Sequence, residues 1–252
     1  MFYRNFSKRW LPGLLPACFL AFTTLAAAAP ASAAAGCEPR SLAFGQGGAP
    51  WKHAPMSKLK RDTAYTLLQE DGRTVLRATA DGAASFYLTY LEPPLPTPVM
   101  LSWRWKTDAL VPGADNRDKQ REDAPLRVLV GFGGDPATLS AAEQKRFKKA
   151  EKSSGRAPPY AMLWYIWSDK VAVDSVLPFA HSGRVKMIVV ASGASGLGRW
   201  QSVRRNLAED YRRAYGAEPG PLMGIAVMTD TDNTGAKAVG HYADIKLECT
   251  AN

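Results

Sequence analysis

Asp230-Thr231-Asp232-Asn233 sets three hard oxygen donors side by side, the donor type that calcium requires. An EF-hand would need a bidentate carboxylate where His241 stands, so that motif is excluded. Asp230, Asp232 and Asn233 remain the one place at which calcium could be held. The competing reading is a hairpin tip whose Asp and Asn side chains bond their own backbone, with no cofactor at all.

The second group is cationic. Val99, Leu101, Trp103 and Trp105 alternate with Met100, Ser102, Arg104 and Lys106, which puts two tryptophans on one face of a strand and two cations on the other. Arg127 enters a later strand where it could share the face of Arg104 and Lys106, and Arg205 lies on another. Four cations on one surface repel each other unless carboxylates or a ligand neutralise them. Asp123, Asp230 and Asp244 are the carboxylates in the nearby motifs. The expectation is a mixed-charge ligand groove formed by Arg104, Lys106, Asp123, Arg127, Arg205, Asp230 and Asp244, with Trp167 exposed at its edge. Trp164, Tyr165 and Trp200 are further rings that could stack on a sugar, although most tryptophans in a strand-rich chain belong to the core.

Other chemistries find little support. Gly193-Ala194-Ser195-Gly196-Leu197 lacks the last glycine of a nucleophile elbow, and no phosphate-binding or dinucleotide fingerprint occurs. Strict alternation through His241-Tyr242-Ala243-Asp244-Ile245 sends His241 and Asp244 to opposite faces, which argues against a catalytic pair. A hydrolase or lyase using two of Asp123, Asp210, Asp230 and Asp244 as acid and base is the alternative, but no spacing selects the pair.

These residues sit in a chain with an export signal. Arg4, Lys8 and Arg9 precede an apolar run from Leu11 to Ala29 and a small-residue cleavage site at Ala31-Ser32-Ala33, so residues 1–35 read as a secretory signal peptide and the protein as periplasmic. No later stretch has membrane-spanning length and apolarity. Cys18 falls within the signal, leaving Cys37 and Cys249 near the two ends; in an oxidising compartment they should form a disulfide. Lipidation of Cys37 is the rival. The 252-residue chain carries a formal net charge of +9 and stays basic without its signal, which suits acidic glycans or other anionic envelope components. No basic run is interleaved with stacking aromatics, so nucleic acid is not expected.

The elements that must position the candidate residues are strands. Period-two runs span 64–70, 74–80, 84–91, 99–106, 126–132, 161–168, 184–192, 200–206, 222–229 and 239–249, with turns at Asp71-Gly72 and Asp81-Gly82. Ser140 and Glu143 form a capping box for a surface helix over 138–152. A second short helix, 207–215, ends at Gly216. The chain should therefore be all-β: residues 36–252 as a single two-sheet antiparallel sandwich of jelly-roll type.

Trp103-Arg104-Trp105-Lys106, Asp123 before Arg127-Val128, Tyr165-Ile166-Trp167-Ser168, Arg205-Asn206 with Asp210-Tyr211, Thr229 to Thr234 and Tyr242-Ala243-Asp244-Ile245 occur in that order. Together they resemble the bacterial exported family known as domain of unknown function 3047, from about Trp51 to Leu247. The last strand is also similar to that of galactose-binding-like carbohydrate modules. The resemblance implies export but lends no activity and no catalytic residue. The expected function is non-catalytic binding of a saccharide or an anionic envelope component. Recognition of another envelope protein is a third reading, which a large exposed apolar patch would favour.

Overall fold

The computed structural model describes residues 39–97 and 99–249. The predicted signal peptide, 1–35, and Cys37 lie outside the described residues. Thirteen strands and two helices follow in chain order: β1 (Arg40–Ser41), β2 (Lys52–Pro55), β3 (Ala64–Glu70), β4 (Arg73–Asp81), β5 (Ser85–Leu95), β6 (Val99–Thr107), β7 (Ala124–Phe132), α1 (Ala141–Ser154), β8 (Ala161–Ser168), β9 (Val176–Phe179), β10 (Ser182–Ser192), β11 (Gln201–Asn206), α2 (Leu207–Tyr215), β12 (Leu222–Asp230) and β13 (Lys237–Cys249). They form a β-sandwich of jelly-roll type. One sheet runs β11-β6-β13-β4-β3 with β1 paired to β13, and the other runs β2-β5-β12-β7-β8-β10-β9.

Period-two patterning builds the space between the sheets. In β6 the odd-numbered residues from Val99 to Thr107 are buried and the residues between them are half-exposed, as expected when one face meets the core. Leu101, Trp103 and Trp105 from β6 pack with Leu126, Val128 and Val130 from β7, Tyr165 and Trp167 from β8, and Tyr242 from β13. The Trp103 and Trp105 rings meet edge to face at 5.4 Å, a favoured aromatic geometry.

The seven-stranded sheet is covered on both faces over part of its width. Leu129, Trp164, Ile166, Met187, Ala226 and Met228 alternate with the core residues of the same strands and make a second apolar cluster on the outer face. Strand β7 is accordingly buried at every position. That pattern marks strands sealed on both sides.

Two findings correct the expected architecture. Strands β8 and β10 are parallel, because the chain leaves β8, runs back as edge strand β9 and turns into β10 between them. Short strands β1, β2 and β9 carry too few residues to show a period. Helix α2 is amphipathic: Leu207 and Tyr211 enter the core while Glu209, Arg212 and Arg213 are exposed. Left-handed Gly216 closes it as expected, and Asn206, not anticipated as its cap, accepts through Oδ1 from the amides of Ala208 and Glu209. Helix α1 buries only Phe147, and at its predicted cap Ser140 Oγ accepts from the Glu143 amide and donates to the Glu143 carboxylate.

Candidate functional site

The outer face of the β11-β6-β13-β4-β3 sheet carries the clearest concentration of binding groups. Because Trp103 and Trp105 point inward, Arg104 and Lys106 point outward. Trp200, just ahead of β11, lies beside both, its ring 5.0 Å from Arg104 Cζ and 5.2 Å from Lys106 Nζ. These are cation–π distances. A groove of about 730 Å3 runs along this face, with Arg73, Arg104, Trp200, Ser202, Arg204 and Asp244 among its walls.

Asp244 reaches the groove through a break in its strand. The β13–β6 register slips between Ala243 and Lys246, and Asp244 takes a left-handed backbone with φ 54°, uncommon for a residue with a side chain. An inserted residue of this kind re-aims side chains. Tyr242 and Ile245 both enter the core, while Asp244 Oδ2 sits outside, 3.3 Å from Arg104 Nη1 and 3.4 Å from Arg73 Nη1. His241 therefore shares the outer face with Asp244, contrary to strict alternation. It stands opposite Lys106 and Arg77 on the neighbouring strands, with its ring 6.5 Å from Trp200. Burial, reinforced by Lys106, holds its pKa below the ordinary histidine range. Its buried Nδ1 has no hydrogen-bond partner among the described residues.

Chemically, this face offers an aromatic plane, cations held loosely by carboxylates, and a serine hydroxyl. Lys106 pairs with Glu70 at 3.4 Å, and the pairs around Asp244 are likewise part-exposed. Such pairs are worth up to about 1 kcal/mol each, so an incoming anion can replace the carboxylates.

Arg127 is not in this groove. It lies on the far side of the molecule, on the outer face of the other sheet, with no exposed surface. Its Nη2 is 3.0 Å from Asp230 Oδ2 and donates to the Glu122 carbonyl at 2.6 Å; its Cζ lies 5.3 Å from the Trp164 ring. Burial pushes the Asp230 carboxyl well above the usual range, against the pull of Arg127, and raises Glu122 in the same way.

The hairpin tip over 230–234 is organised around Asp123, from another segment. Asp123 accepts from the Asn233 amide at 3.1 Å and from the Thr234 amide and hydroxyl at 2.7 and 2.6 Å. The carboxylates that converge are those of Asp123, Asp230 and Asp232, within 4.8 Å of one another, whereas the Asn233 amide donates to the Lys119 carbonyl. Lys60 lies against Asp232 and Arg127 against Asp230. The expected bond within the turn is present, the Asp232 amide donating to Asp230 Oδ1 at 3.4 Å, but the shorter bonds run between loops.

The predicted constellation is therefore divided. Arg104, Lys106 and Asp244 come together on one outer face. Arg127, Asp123 and Asp230 come together at the opposite sheet. Arg205, on β11, turns to the sheet edge, where Nε and Nη2 bond Asp210 at 2.8 and 2.6 Å and Nη1 bonds Asp174 at 2.9 Å. Trp167 is not at any groove edge: it is fully buried between the sheets, 6.3 Å from Trp105, with its indole N–H bonded to the Gly193 carbonyl. Arg73 and Glu70 were not among the expected residues. Their pairing across the Asp71-Gly72 turn was readable, but not that β4 would lie beside β13.

A family model described as Protein of unknown function (DUF3047) matches residues 49–246, and the chain belongs to that family. No curated protein matches the chain. Among solved structures it is similar to a family 30 carbohydrate binding module, with 9% identity, 85% of this chain and 100% of that chain covered and a TM-score of 0.40. It is similar to a CBM4 structure at 11% identity, with 84% and 95% covered and a TM-score of 0.37. A third is the xyloglucanase domain of NopAA, a type three effector from Sinorhizobium fredii, in complex with cellobiose, at 8% identity, with 79% and 93% covered and a TM-score of 0.39.

Proposed function

We propose that this member of the DUF3047 family binds an anionic saccharide in the groove on the outer face of the β11-β6-β13-β4-β3 sheet, without cleaving it. The observation that carries the reading is Trp200 flanked by Arg104 and Lys106, with Asp244 lifted by the β13 bulge between Arg104 and Arg73. A ring that stacks on a sugar beside guanidinium groups that grip a carboxylate or sulfate suits one ligand class. Ser202 and the neutral His241 can add hydrogen bonds to hydroxyls.

Acidic and neutral glycan arrays probed with the purified protein should show binding confined to acidic members. Arg104→Ala should weaken that binding roughly tenfold to a hundredfold, the worth of one charge-assisted contact, with the melting temperature unchanged. Trp200→Ala should act in the same direction. Parental affinity in both variants would remove the groove from the reading, and cleavage of the arrayed glycans would replace binding by a carboxylate-based hydrolase or lyase.

The same proposal places the protein outside the cytoplasm with Cys37 bonded to Cys249. Pairing of Arg40 with Leu247 brings the chain just after Cys37 alongside the chain just before Cys249, and Cys249 does not stand without a partner. Peptide mapping under non-reducing conditions of material from the periplasmic fraction should recover the cross-linked pair. A lipid-modified Cys37 would overturn it.

A further inference from the structure

The outer face of the seven-stranded sheet, on the opposite side from the saccharide groove, holds a second cavity of a different chemistry. Phe86 and Leu88 from β5, Met162 from β8, and Pro159 and Met223 line a cleft of about 220 Å3 with Leu129 at its floor. Phe86, Leu88, Met162 and Met223 are half-buried rather than sealed. The adjoining cluster of Trp164, Ile166 and Met187 shows that this face is built to be apolar. Two methionines give the wall the adaptability of surfaces that accept flexible apolar ligands.

Thr89 and Tyr90 of the cleft also line a neighbouring pocket of about 630 Å3. That pocket is cationic. Lys52 Nζ stands 4.8 Å from the Tyr90 ring and Arg156 Cζ 4.1 Å from it, and Arg40 completes the wall, with Glu92 as its one carboxylate. Arg156 lies against Glu92, both substantially exposed, a pairing that a stronger anion can displace. Three cations to one carboxylate leave the pocket with net positive charge.

An apolar cleft that shares lining residues with an adjacent cationic pocket is complementary to a molecule with a hydrocarbon tail and an anionic head. We infer that this face binds a single-chain amphiphile with a phosphate head group, the acyl chain lying over Leu88, Met162 and Met223 and the phosphate held by Lys52 and Arg156. Three cations to one carboxylate suit a head group of up to two negative charges, as a phosphate monoester carries, and the Arg156 fork can bond its oxygens in pairs. The inference does not rest on the saccharide reading, because no residue is shared between the two sites.

The test is titration calorimetry of the purified protein with a palmitoyl lysophosphatidate below its micelle concentration, beside the uncharged monoacylglycerol of the same chain length and inorganic phosphate. Saturable one-to-one binding of the lysophosphatidate is expected. Leu88→Glu and Met223→Glu, two independent variants at half-exposed positions, should each abolish it with melting temperatures retained. Lys52→Ala combined with Arg156→Ala should weaken the charged amphiphile at least tenfold and leave the monoacylglycerol unaffected, whereas Trp200→Ala should change neither. Failure to saturate, equal affinity for the uncharged lipid, indifference to the two Glu variants, or a self-association lost in Leu88→Glu, which would make the occupant a second copy, overturns the inference.

Discussion

Arg127→Ala should cost about 3–5 kcal/mol of folding stability, the usual penalty for breaking a buried ion pair from one side. For a domain of this size that corresponds to a fall in melting temperature of roughly 6–20 °C. The guanidinium has no contact with solvent, and its removal leaves the Asp230 carboxyl without its counter-charge next to Asp123 and Asp232. It also strips the Glu122 carbonyl of its donor and opens a void against Trp164. Arg127→Met, which fills most of the void, should recover part of the loss. By contrast Arg104→Ala, on the open face, should stay within about 0.5 kcal/mol. Denaturant titration of the three variants decides the matter, and a loss below about 1 kcal/mol for Arg127→Ala would mean the pair is dispensable.

The same cluster sets a pH dependence of definite sign. Burial raises the carboxyl pKa of both Asp230 and Glu122 in the folded chain. The folded state therefore holds these protons more tightly than the unfolded state, and their contribution is complete below the unfolded carboxyl pKa and lost as pH rises through the folded values. Glu122→Gln removes that loss while keeping the carbonyl that receives Arg127. It should stabilise the protein near neutral pH, with the gain vanishing toward about pH 4. A variant equally stabilised at both ends would show that ionisation of Glu122 is not the cause.

Asp210→Ala should cost a similar amount, about 3–5 kcal/mol, by a different route. Its nearly buried carboxylate accepts from Arg205 Nε at 2.8 Å and Nη2 at 2.6 Å, from Arg213 Nη2 at 3.0 Å and from the Tyr165 hydroxyl at 2.9 Å. Alanine leaves two guanidiniums and a fully buried hydroxyl facing one another. These bonds tie α2 to β8 and β11, so amide exchange should quicken first over 207–215, exposing the amides of Leu207 and Tyr211. Asp210→Asn, which keeps shape and one acceptor, should lose less. A penalty no larger than that of a surface substitution would show that apolar packing alone docks the helix.

Much of the frame was written locally. The alternation through β6, the capping box of α1, the Gly216 stop of α2 and the glycine turns each depend on residues a few positions apart, and each predicts its element. The outward direction of Arg104 and Lys106 followed from the same rule, since one buried face dictates the other. The expected fold class, a two-sheet sandwich, rests on these local signals summed over the chain.

What alternation could not supply is what lies over each face. Arg127 alternates correctly away from the inter-sheet core, yet the outer face of its sheet is itself covered, so a cation expected in a groove is sealed against Trp164 and Asp230. Trp167 obeys the same period and enters the core because β6 of the other sheet stands opposite. The direction of Asp244 depends on the slip between β13 and β6, which moves every residue beyond it to the other phase; only the pairing of two strands distant in sequence creates that slip. Asp123 meets Thr234 across the sandwich end for the same reason. Local sequence sets which side of a strand a residue faces, and the long-range pairing of strands sets what it meets there.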